Sequence, residues 1–172
     1  MSFEYSINLC EFKLLPTSYF LLPTSYFSKM TGSVHAAVGA AIGRYVRIKP
    51  LAFALGVFSH GVGDVIPHHD VGLWEAPVLL GTMTAIVNKF GVNSPEFWGA
   101  LGAICPDFEH IPAELRRDPN RFEVNTSKLF PTHNGKLEHA RWPFNERLGI
   151  LMQIVLWATG LWLAGMLSSR EA

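Results

Sequence analysis

The chain is poor in charge and poor in sulfur. Charged residues make up 16% of its 172 positions, well under the roughly 25% of an ordinary soluble domain. Lys and Arg number 14 and so do Asp and Glu, which gives a net charge of zero. A balanced chain of this kind lacks the electrostatic footprint that nucleic acid requires. The two cysteines, Cys10 and Cys105, form no spacing motif, which excludes a disulfide framework and a zinc ribbon. GxSxG, CxxC and the glycine–lysine pattern of a phosphate loop are all missing. The length suits one compact core rather than two. What the chain has in quantity is apolar surface: 49% hydrophobic residues and a mean hydropathy of +0.21. That balance points to membrane contact.

The N-terminal stretch stands apart. Leu14 to Phe27 reads "LLPTSYFLLPTSYF", seven residues followed by the same seven. Solenoid repeats run about 20–50 residues and need three or more copies. Pro16 and Pro23 interrupt any regular element here. Glu4 and Glu11 replace the basic region of a secretory signal. An exact copy persists where a chain tolerates insertion, as termini do. Residues 1–29 are therefore expected to be a leader outside the fold, with a surface or membrane-interface tail as the alternative.

From Met30 onward the pattern is helical, and the fold class expected is an all-α, membrane-associated bundle. Thr31 or Ser33 caps a helix in which His35, Gly39 and Gly43 share one face. Small residues on that face let another backbone approach. A second helix starts at Pro50 and stops before Pro67, with His60 and Asp64 one turn apart. A third apolar segment runs from Gly72 to Phe90. A fourth helix has Ser94 as cap and Pro95 at its first position, and Pro106 breaks or kinks it ahead of Asp107 and His110. From about Arg117 to Phe144 lies a polar loop that carries His133 and His139.

Leu148 to Leu167 then forms a run of 20 uncharged residues, with Gln153 its one strongly polar member. That length meets the requirement of a bilayer core of about 30 Å, and a transmembrane helix is expected here. A buried core helix is the other reading. Three domains follow: the leader to residue 29, a helical metal-site domain over 30–140, and a membrane helix with its tail over 141–172.

Chemistry concentrates in "SHGVGDVIPHHD", residues 59–70, which packs three His and two Asp into twelve residues. Buried His and Asp are costly unless paired or bound to a metal. His60 and Asp64 at i, i+4 can reach one ion, and His68 or His69 can turn back toward it past the proline. Imidazole with carboxylate suits zinc, manganese or iron better than calcium or magnesium. Taken alone, His35 reads as a structural histidine and Asp107 with His110 as a local cap or surface pair.

In order, "HAAVGAAIG", "SHGVGDVIPHHD", "GALGAICPDFEH" and "THNG" resemble the YdjM-like family of membrane-bound, metal-dependent hydrolases. The second block is also similar to a shortened HxxGDxxxPxH motif of zinc-dependent phospholipases C and related single-strand nucleases. The resemblance runs from Met30 to about Gly135. It implies a divalent metal, zinc foremost, at His35, His60, Asp64 and His68, with Asp107 bridging or ligating and His110 and His133 as further candidates. It leaves His68 and His69 undecided.

The activity implied is hydrolysis of a phosphoester in a lipid or similar amphiphile at a prokaryotic inner (plasma) membrane. Asp64 or Asp107 would position water or act as general base. Arg116, Arg117 and Arg121 could hold an anionic substrate, or form a solvated or headgroup-facing stretch. A non-catalytic metal-binding membrane protein and a helical membrane scaffold are the alternative functions.

Overall fold

The computed structural model describes residues 31–66, 75–110, 128–134, 136 and 145–168. The tandem repeat, His68, His69, Arg116, Arg117, Arg121 and His139 lie outside the described residues, and so do the readings placed on them. So does the side chain of His110. Among the described residues every regular element is helical, as the all-α expectation requires. The elements are α1 (Gly32–Val46), α2 (Lys49–Val65), α3 (Glu75–Phe90), α4 (Pro95–Ile104), a 3₁₀ turn (Cys105–His110) and α5 (Glu146–Leu163).

Local chemistry sets the boundaries. Thr31 takes the cap position of α1 in extended backbone, and Arg47 ends the helix in the left-handed region at φ 61°. Pro50 falls in the first turn of α2, whose last cap, Ile66, is extended as a residue before proline prefers. Ser94 caps α4, its Oγ accepting the Phe97 N–H at 3.1 Å. Pro106 has no N–H to continue α4, and its ring opposes the carbonyl four residues back. The chain tightens there into the 3₁₀ turn that carries Asp107.

Small residues let three helices meet at backbone distance. α4 packs between α1 and α2. A Cβ on Gly39 or on Gly56 would strike the Gly99 carbonyl, and one on Gly102 would strike that of Phe53. Gly43 lies equally close to Pro95. The interior between these helices is alanine: Ala36, Ala37, Ala40, Ala52, Ala100 and Ala103 are fully buried. Val34, Ile86 and Ile104 are buried too, but many large apolar side chains lie on the outside. Leu51, Phe58 and Val62 on α2 are exposed, as are Leu151, Val155 and Trp162 on α5.

α5 runs along α1, with Gly160 against Ala37. Gln153 turns inward, its Oε1 accepting the Thr31 N–H at 3.1 Å, and Trp157 Nε1 donates to Thr82 Oγ1 at 3.0 Å. The expected membrane crossing from Leu148 to Leu167 needs correction. The helix begins earlier, taking Glu146 and Arg147 into its first turn, and it stops at Leu163. Ala164 to Leu167 form turns, with Gly165 at φ 83°, and Lys89 Nζ donates to the carbonyls of Met166 and Ser168. Eighteen helical residues reach only about 27 Å at 1.5 Å each. Among the described residues no helix is long and apolar enough to cross a membrane.

Candidate metal centre

Four elements deliver five donor groups to one place. His35 comes from the first turns of α1, and His60 and Asp64 from successive turns of α2. Asp107 comes from the 3₁₀ turn, and His133 from the turn at 131–134. All three imidazoles present Nε2 to the carboxylates. His35 Nε2 lies 3.4 Å from Asp64 Oδ1. His60 Nε2 lies 3.1 Å from Asp64 Oδ2 and 3.8 Å from Asp107 Oδ1. His133 Nε2 lies 3.6 Å from Asp64 Oδ2 and 3.9 Å from Asp107 Oδ1. The rings of His35 and His60 stack at 4.1 Å, and His133 meets His60 edge-on at 5.5 Å.

The tautomer of His60 is set from behind. Its Nδ1 donates to the Ala103 carbonyl at 2.8 Å, so its Nε2 offers a lone pair to the centre. A proton placed on that Nε2 makes a full imidazolium. Burial opposes the charge, yet hydrogen bonding to Asp64 and the charges of Asp107 and Asp64 carry the His60 pKa above 6.5. Burial, with His60 as neighbour, carries His35 below 6.5 against the pull of Asp64. Burial alone would raise Asp64, but hydrogen bonds with His133, His35 and His60 hold it well below the ordinary carboxylate range. The cluster therefore calls for positive charge at its middle, from protons or from a cation.

A divalent cation fits. Two groups of three donors lie within 4.8 Å of one another: His35, His60 and Asp64, and His60, Asp107 and His133. His60 belongs to both. Tetrahedral ligands about 2.0–2.1 Å from zinc stand about 3.3 Å apart, inside the observed spread of 3.1 to 3.9 Å. His35 Nε2 and His60 Nε2 are buried and point at the carboxylates from 3.1 to 3.8 Å, as ligand atoms gathered around an ion would. His35, His60, Asp64 and His133 are almost wholly buried, while the Asp107 side chain is 33% exposed.

Of the residues expected at the centre, the structure brings together His35, His60, Asp64, Asp107 and His133. Two contributors were not anticipated. Glu109 faces His133 Nδ1 at 3.4 Å and accepts backbone N–H groups of the turn that bears it. Its signal was present as a second acid two residues beyond Asp107. Glu75, on α3, accepts the Ser33 N–H at 3.1 Å and so caps α1 from another helix. Nothing in its own segment marks that role. No family profile, curated protein or solved structure matches this chain.

Proposed function

We propose that the protein is a membrane-associated, metal-dependent hydrolase acting on a phosphoester, in a lipid or similar amphiphile. The observation that supports it most is the convergence of three imidazole Nε2 atoms on two carboxylates, with His60 oriented by the Ala103 carbonyl. The order of motifs along the chain supports the same reading.

His35, His60, His133 and Asp64 would hold the ion, and nitrogen-rich donors favour zinc, manganese or iron. When bound, such an ion supplies Lewis acidity toward a phosphoryl oxygen and acidifies water to a pKa of about 7. The two aspartates divide the remaining work. Asp64 is too strongly held as an anion to be a good base, which makes it a ligand. Asp107 reaches the surface and the donor set at once, which suits it to orient water and accept its proton. Apolar side chains on the outer faces of α2 and α5 support a lipid environment, with the bundle seated at a bilayer.

A non-catalytic metal site is the second reading, favoured by the deep burial of four of the five donors. Metal analysis of the purified full chain tests the centre, beside a His60→Ala/Asp64→Ala variant. Near-stoichiometric zinc, manganese or iron that is lost in the folded variant supports it, and a phosphodiester and phospholipid screen then separates the two readings. No metal after loading with each ion would sink both and leave a helical scaffold.

A further inference from the structure

Glu109 serves no helix of its own, and its carboxylate is spent on another segment. Oε2 accepts the Leu129 N–H, and Oε1 accepts the Phe130 N–H at 3.1 Å. The same Oε1 lies 3.4 Å from His133 Nδ1. Those residues follow Glu109 by about twenty positions, and the turn they form carries His133 into the centre. His133 N donates to the Phe130 carbonyl at 2.9 Å, which ties the ring's backbone to the gripped amides. The Phe130 ring packs beside the imidazole at 6.0 Å.

We infer that Glu109 is the positioning residue of the metal centre, gripping the 129–130 backbone and holding His133 with Nδ1–H toward its carboxylate and Nε2 toward the ion. The inference rests on the metal reading and adds to it how the distant ligand is delivered. A carboxylate behind a ligating histidine fixes the ring's tautomer and raises its basicity. The 3₁₀ turn is short, so Asp107 and Glu109 sit two residues apart. One faces the centre and the other grips the turn that completes it. Pro106, by ending α4, places both.

Two measurements on the full chain test this. In zinc competition titrations, Glu109→Ala should weaken binding about 10–100-fold, the loss typical of a partner behind a metal ligand. In a His133→Ala background the same change should have almost no further effect, because Glu109 acts through that ring. Amide hydrogen exchange of the zinc-free protein should show Leu129 and Phe130 protected in the wild type and unprotected in Glu109→Ala. The conservative Glu109→Gln should keep protection at one of the two amides while still weakening zinc, which separates the grip from the charge.

Equal zinc affinity in wild type and Glu109→Ala would overturn the inference. So would equal losses with and without His133. If the wild type takes up no zinc, the metal reading falls and the exchange measurement decides the grip alone: unchanged protection in Glu109→Ala refutes it, and lost protection supports it.

Discussion

His60 donates from Nδ1 to the carbonyl of Ala103, one helix away, at 2.8 Å. That bond exists because α2 and α4 touch at backbone distance, where Gly56 meets Gly99 and Gly102 meets Phe53. The glycines thus serve the site as well as the core. Gly99→Ala would force a methyl into the Gly39 carbonyl and is expected to destabilise the protein by about 1–3 kcal/mol or more. Gly81→Ala, in open space on α3, should instead stabilise it by roughly 0.5–1 kcal/mol. Thermal melts of the two variants should move in opposite directions, and a shared direction would contradict the packing described.

Asp64 and Asp107 should fail differently. Asp64→Asn removes the carboxylate that all three imidazoles face and is expected to abolish metal retention. Asp107→Asn should leave metal content within about twofold. On any phosphoester the wild type turns over, it should lower kcat by about 100-fold or more, the range of a general base. Metal analysis beside steady-state kinetics reads both. Metal loss in Asp107→Asn would move that residue from base to ligand.

Metal should stabilise the fold, and acid should remove the benefit. At an ion concentration 100 times Kd, the gain is about 2.7 kcal/mol, seen as a higher Tm that chelation reverses. The ligand atoms must be free of protons to bind, so uptake releases protons. The sign follows: His60 holds its proton more tightly than a free imidazole, so the proton begins to compete with the ion above pH 6.5 and gains as the pH falls. The difference in Tm with and without zinc should shrink steadily from pH 8 to pH 5. A constant difference would place the ion elsewhere.

Much of this was legible in the sequence because it follows from short-range rules. Ser94–Pro95 fixes where α4 starts, and Pro106 fixes where it stops. His60 and Asp64 share a face by helical period alone. Gly39 and Gly43 announced a close helix, though not which one. The unread parts are long-range. Glu109 meets His133 through a turn more than twenty residues away, and Glu75 caps a helix it does not belong to. The C-terminal apolar run read as a crossing because composition registers neither the break at Gly165 nor the inward turn of Gln153.

The outer faces give the last prediction. Besides Val34, Ile86 and Ile104, this bundle buries mainly alanine, glycine and the polar centre, while Leu51, Phe58, Leu151 and Val155 face outward. Full burial of one such side chain is worth about 1.5–3 kcal/mol, so three together should dominate partitioning to lipid. In flotation with phosphatidylcholine–phosphatidylglycerol vesicles, the wild type should rise with the lipid. Phe58→Ser/Leu151→Ser/Val155→Ser should partition at least 100-fold less. None of the three belongs to the donor set, so zinc uptake should persist in the variant and report that it has folded. A variant that keeps its metal and still floats would show that lipid contact, if any, lies on other surfaces. A wild type that does not float would leave these faces to a protein partner, and cross-linking across α2 and α5 would be the way to find it.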